Sequence, residues 1–216
     1  MIKNRGVLLS KCINICASIG LVALFTGTAT FAANAVDLTK LIGSCEDCHG
    51  KNGASQNSDI TTIGGFSAVY TNDALSAYQD KARPCDDIKY PAGEHKGEVT
   101  TMCQAVEKLS PETIELIAEH FADKPFVRAK QTFDPGLAKK GRSVHRKSCE
   151  KCHEDGGSSA DDDAGIMAGQ WMPYLTDQFK EYASGERPMP KKMKPKMEKL
   201  SDEDIEALVH FYGSFE

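Results

Sequence analysis

Aromatic side chains are scarce in this 216-residue chain: they make up 7% of it, with a single Trp. A well-packed core on that allowance needs help from something other than rings. No strongly basic segment is present, and with a net charge of −5 the chain is a poor candidate for nucleic acid. Period-two alternation of apolar residues is also missing, which excludes a sheet-based fold. No apolar run long enough to cross a membrane follows the first 36 residues. Apolar positions do recur with a period through most of the chain, which excludes long-range disorder. Cysteine and histidine are the plentiful residues, at eight and six.

Lys3, Arg5 and Lys11 precede 25 uncharged residues, Cys12 to Val36, of which Ile13 to Phe25 are mostly apolar. Phe31-Ala32-Ala33 and Ala33-Asn34-Ala35 then offer small-residue cleavage sites. Residues 1–35 therefore read as a secretory signal peptide. The competing reading is a retained membrane anchor, but Ser, Thr, Asn and Gly dilute the stretch. Cys12 and Cys16 lack a lipidation context and are bystanders. Cleavage leaves 23 basic against 31 acidic side chains, a net −8. The expected destination is an exported, oxidising compartment, most simply the periplasm of a bacterium.

The rest of the chain is one unit written twice. Cys45-Glu46-Asp47-Cys48-His49 recurs as Cys149-Glu150-Lys151-Cys152-His153, an offset of 104. The same offset pairs Gly65 with Gly169, Tyr70 with Tyr174, Tyr78 with Tyr182 and Arg83-Pro84 with Arg187-Pro188. Beyond these the offset falls to 91, pairing Met102 with Met193 and Ser110 with Ser201. The first unit thus carries a net insertion of 13 residues within about 85–101. Two similar domains follow, 36–128 and 129–216, with a linker near Lys124–Gly136, where Pro125, Pro135 and Gly136 interrupt helical continuation.

Both units read as helical. Ser110-Pro111-Glu112 and Ser201-Asp202-Glu203 are helix starts, each followed by an apolar face: Ile114, Ile117, Ala118, Phe121 and Ile205, Leu208, Val209, Tyr212. Tyr70–Lys81 and Tyr174–Ser184 form a second amphipathic pair. Leu38–Ile42 and Leu137–Val144 form a third, each leading into a Cys pair. The fold class is all-α.

Chance expects only about 0.008 Cys-x-x-Cys-His motifs in a chain of this composition, and here there are two in repeat register. The motif is the attachment site of c-type haem. Two thiols on one turn bond the vinyl groups, and the adjacent His lies under the iron. Cys45, Cys48, Cys149 and Cys152 would hold two covalent haem c groups, with His49 and His153 as proximal iron ligands. Zinc would want its Cys pairs far closer than Cys48 and Cys149, and a redox dithiol would want a βαβ context. A covalent haem also supplies the large apolar plate that a small domain with few rings needs.

With these motifs the chain resembles the two-haem class I c-type cytochromes, a family that includes the haem subunit of flavocytochrome c sulfide dehydrogenase. Beyond the two motifs, the matching residues are Ala168-Gly169-Gln170, Tyr174-Leu175, Tyr182-Ala183-Ser184-Gly185-Glu186-Arg187, Met193 and Leu200-Ser201-Asp202-Glu203-Asp204-Ile205. The resemblance spans the chain after the signal and is tighter in the second unit. It implies two small helical bundles, His and Met as axial ligands, and electron transfer as the task.

The distal ligand must come from a loop on the face opposite the His, and a Met thioether raises the potential. Met102 is the one Met between the first motif and Ser110, and Met193 precedes Ser201 by the same eight residues. Met197 reads as packing and Met189 as loop entry. His95, inside the insertion, is an alternative to Met102. His120 and His210 read as packing or surface residues, and His145 as an exposed helix residue. Cys85 and Cys103 bracket the insertion, and in an oxidising compartment they most simply form a disulfide. The rival is that one of them stays a thiolate and displaces Met102, as in a two-haem thiosulfate dehydrogenase.

The expected function is periplasmic single-electron transfer by a carrier, with no catalytic residue of its own. The donor would be a quinol–cytochrome oxidoreductase or a flavoprotein dehydrogenase, and the acceptor a terminal oxidase. The chain would meet a membrane only through those partners. It could also serve as the haem subunit of a sulfur-oxidising flavoenzyme. The alternative is the thiosulfate dehydrogenase-like enzyme. Lys191, Lys192, Lys194, Lys196 and Lys199 crowd the second distal loop of a net-acidic unit. They read either as a solvated loop or as a steering ring for an acidic partner.

Overall fold

The computed structural model describes residues 37–216. The expected signal peptide, with Cys12 and Cys16, lies outside them. The first half holds α1 (Leu38–His49), α2 (Ala68–Gln79), α3 (Met102–Val106) and α4 (Pro111–Ala122). The second holds α5 (Pro135–Ser148), α6 (Glu154–Gly157), α7 (Met172–Ser184), α8 (Lys194–Met197) and α9 (Asp202–Gly213). Among the described residues, no helix is long and apolar enough to cross a membrane.

Side-chain caps set the helix starts. Ser110 and Ser201 accept from the Thr113 and Asp204 amides, as their sequences suggest. Ser67 accepts from Tyr70 N, so α2 opens two residues before the apolar pattern does. Pro135 and Gly136 do not break the chain as the sequence suggests. Asp134 caps α5, and Pro135 takes a first-turn position where its missing N–H costs nothing.

The expectation of no strand needs one amendment. Inside the insertion, β1 (Ile88–Lys89) pairs antiparallel with β2 (Val99–Thr100), matching Ile88 to Thr100 and Lys89 to Val99. Strands of two residues are too short to show a period. The disulfide Cys85–Cys103 closes the base of this hairpin over a separation of 18 residues. A loop of that length contributes about 3 kcal/mol by chain-entropy reasoning.

Each half has its own apolar core. In the first, Ile42, Ile117 and Phe121 form a buried cluster with Leu38, Leu41, Cys45, Ile63 and Leu75 packed around it, and Ile60, Phe66, Val106, Ile114 and Ala118 are buried besides. The second buries Leu175, Phe179, Leu208, Val209, Phe211 and Tyr212. There α5 crosses α9 in backbone contact at Gly141, where a Cβ would lie 2.0 Å from the Ala207 carbonyl oxygen. Gly141→Val should therefore destabilise the fold by about 1–3 kcal/mol or more, against the gain that leaving glycine normally brings a helix. Chemical denaturation checks this: a midpoint at or above the parent's would mean that the crossing is loose.

Polar contacts join the halves. The Gln170 amide both accepts from Thr62 N (3.0 Å) and donates to Thr62 O (2.7 Å). Trp171 Nε1 donates to Ser55 O, and Tyr174 N to Ser58 O. This seam places the repeat-related Tyr and Arg residues together.

Candidate functional site

The first motif occupies the last turn of α1, so Cys45, Cys48 and His49 sit on adjacent turns of one helix. Gly50 then turns the chain away at φ 75°, and a Cβ there would strike Ala54 O at 2.2 Å. Glu46 Oε1 accepts from Asn52 N at 2.7 Å and holds the turn. His49 is buried, and burial lowers its pKa, so the ring is neutral. Its Nδ1 lies 2.9 Å from Thr61 O. A carbonyl only accepts, so Nδ1 carries the proton and Nε2 keeps its lone pair for a metal.

The second motif does not ride a helix. The α5 helix ends at Ser148, and Cys149 caps it through a bond from its amide to His145 O (2.7 Å). His153 has φ −132° and ψ 75°, and its half-buried ring is held neutral chiefly by burial, against Asp162. His145 corrects its sequence reading: it is fully buried rather than exposed. Its Nδ1 is 2.9 Å from the Tyr212 hydroxyl, its Nε2 is 2.7 Å from the Glu150 carboxylate, and its ring packs on Phe211. Gly141 and His145 are one turn apart, so both face α9. That spacing was the available signal. Drawing Glu150 back to His145 accompanies the end of the helix at the motif.

Four motif thiols are unpaired: Cys45, Cys48 and Cys149 are half-buried and Cys152 is exposed. Burial pushes the Cys45 thiol up to about 11, and it also raises Cys48 and Cys149. Among the described residues, no three His, Cys, Asp or Glu side chains gather as a metal cage, so the two Cys pairs are not brought together. Met102 stands half-buried at the start of α3, fixed by a Thr101–Gln104 capping box. Met193 is half-buried at the N-cap of α8, whereas Met197 packs on the second core with Leu200. His95 is exposed on the hairpin, 3.1 Å from Glu98. His120 packs edge-on to Phe121, and His210 Nδ1 accepts from Asp134 N at 2.9 Å.

The repeat-paired arginines form a feature whose chemistry the sequence reading left unassigned. Arg83 and Arg187 are both buried at the seam. Each guanidinium stacks on the Tyr five residues before it, 4.3 Å above Tyr78 and 4.4 Å above Tyr182. Both donate to one acceptor, Gln178 Oε1, and Arg83 Nε is buried without any partner. Among the described residues neither arginine has a carboxylate within salt-bridge distance. The nearby Glu181 has its pKa raised by burial, opposed by Arg187 and Arg83. Two buried cations facing so little negative charge are costly unless an anion joins them. Haem carries two propionates, so the seam fits the polar edge of the group that the motifs would bind.

Residues 136–211 match the family model described as cytochrome c oxidase, cbb3-type, subunit III. No curated protein matches the chain. Among solved structures, reduced recombinant cytochrome c4 from Pseudomonas stutzeri is similar, with 24% identity and a TM-score of 0.66. That similarity covers 83% of this chain and 99% of the other. Cytochrome c4 from Acidithiobacillus ferrooxidans aligns at 19% identity and TM-score 0.65, covering 80% and 99%. Thiosulfate dehydrogenase TsdBA from Marichromatium purpuratum, in its as-isolated form, aligns at 19% identity and TM-score 0.61. This last similarity covers 79% of this chain but only 36% of that one. The second half of the chain thus matches a cytochrome family model, and the helical fold as a whole is similar to that of the cytochromes c4.

Proposed function

We propose that this protein is a periplasmic carrier of single electrons, organised as two cytochrome c domains, 36–128 and 129–216, each with one covalent haem c. The observation that carries the reading is the pair of Cys-x-x-Cys-His motifs in register on a two-domain cytochrome c4 fold. Cys45 and Cys48, and Cys149 and Cys152, would hold the groups by thioethers. His49 and His153 would ligate from one face, and Met102 and Met193 from the other. Arg83 and Arg187 would take the propionates and keep that buried edge dry. Bound haem supplies one-electron storage as its iron alternates between ferric and ferrous. The residues themselves position it, exclude water and set its potential. The Thr61 carbonyl, by holding the Nδ1 proton of His49, fixes the ring orientation and strengthens Nε2 as a donor.

The partners on this reading are a quinol–cytochrome oxidoreductase or flavoprotein dehydrogenase as donor and a terminal oxidase as acceptor. A sulfur-oxidising flavoenzyme is a narrower setting for the same role. Likeness to a thiosulfate dehydrogenase keeps an enzymatic reading in view. That reading needs a Cys85 or Cys103 thiolate on the first iron, and the bond between the two weighs against it. A redox-titrated optical spectrum tests the carrier: two one-electron steps and a red-region Met–iron band are expected. The band should weaken in both Met102→Ala and Met193→Ala. A thiolate-type spectrum, lost on Cys103→Ser, would favour the enzyme.

Exposed Lys191, Lys192, Lys194, Lys196 and Lys199 surround α8, and only Lys194 has a carboxylate partner, Glu198 at a distant 3.9 Å. Charge reversal at Lys192 and Lys194 should slow reduction by an acidic partner about tenfold at low salt and converge on the parent rate as salt rises. Stopped-flow rates that do not change with salt would assign the lysines to solvation alone.

A further inference from the structure

The disulfide-closed hairpin departs from the repeat, and its position relative to the first motif gives it a role. Gly93, at its tip, has φ 75°, and a Cβ there would come within 2.2 Å of both carboxylate oxygens of Asp47. Asp47 lies between Cys45 and Cys48, so the hairpin tip rests against the outer surface of the first motif. Tyr90 and His95 pack on each other within the hairpin, and Gly97 N and Glu98 O bond back to Tyr90. The second motif has no insertion. There Cys152 is exposed, whereas its counterpart Cys48 is half-buried.

Charge follows the same division. Segment 86–100 carries Asp86, Asp87, Glu94 and Glu98 against Lys89 and Lys96. The distal loop of the second half carries the five lysines against Glu198, whereas the second motif itself is flanked by Glu150, Glu154 and Asp162. An acidic partner is disfavoured at the hairpin and favoured at the lysine loop.

We propose that the Cys85–Cys103 hairpin is a cap that shuts macromolecular partners away from the thioether edge of the first haem. Electrons then exchange with an acidic redox protein docked on the lysine loop of the second half. The inference rests on the haem reading above. With haem bound, an electron given up by the partner, which is thereby oxidised, would enter at the second site and could pass on to the first, so the first site would be a store filled from the second. Tunnelling falls steeply with distance, so a layer of backbone over the haem edge slows exchange there.

The test uses the haem-loaded full chain with residues 87–99 replaced by a short Gly-Ser link, keeping Cys85, Met102 and Cys103. Carbodiimide labelling of the Asp47 carboxylate, read by peptide mass, should be at least fivefold faster in the shortened protein. Gly93→Val, which forces the tip off Asp47, should move labelling in the same direction without deletion. In a Cys149→Ser/Cys152→Ser background that holds only the first haem, reduction by reduced flavodoxin should be slow. Shortening the hairpin there should raise that rate at least tenfold, while reduction by dithionite changes less than twofold. Equal Asp47 labelling with and without the hairpin overturns the cap. So does an unchanged flavodoxin rate on protein of verified haem content. Protein with no covalent haem overturns the haem reading instead, and the mass of each sample separates the two failures.

Discussion

Replacing Cys45 and Cys48 by alanine should remove one haem, halve the haem absorbance and unfold the first half while the second stays folded. The expectation comes from the size of the two cores. The cluster beneath the first motif joins three buried residues, and Cys45 is among those packed against it. With Cys45 part of so small a cluster, a domain of this size relies on the large apolar insert its thiols would hold. The cluster of the second half joins six, across a tight α5–α9 crossing. The matching substitution at Cys149 and Cys152 should therefore cost its haem but less of its helical structure. Circular dichroism with proteolysis separates the outcomes: a first half that resists protease without its haem would contradict the packing argument.

The second large effect is expected at the seam. Arg83→Leu or Arg187→Leu in the haem-loaded protein should each destabilise by about 3–5 kcal/mol, because a buried propionate loses its cation. Taking a positive charge from beside the iron would also stabilise the ferric state more than the ferrous, so the reduction potential should fall. Arg83→Lys keeps the charge but loses the planar fork stacked on Tyr78. It should hold the potential while losing part of the stability. A potential unmoved by Arg→Leu would mean that the arginines only pack.

How much of this was legible in the sequence depended on whether a feature is local. The motifs, the repeat and the Ser110 and Ser201 caps are stated by adjacent residues, and the structure has those helix starts. The end of α5 at the second motif was not legible, because it accompanies contacts between His145 and residues five and 67 positions away. Pro135 was read as a breaker since proline breaks helix interiors, yet it is favoured in the first turn, and only Asp134 as the cap decides which applies. The repeat aligned Arg83 with Arg187, but not that both would meet at Gln178. The hairpin was legible only as an insertion: two-residue strands leave no pattern, and its contact with Asp47 is set by the fold.

The central claim is that the mature protein carries two haems bonded to its own cysteines. Extraction of purified protein with acidified solvent, followed by intact mass spectrometry, tests it directly. The account predicts that the colour stays with the polypeptide and that the mass of the chain carries two haem additions, mapping to peptides with Cys45–His49 and Cys149–His153. A colourless chain, or one with a single addition, would contradict it.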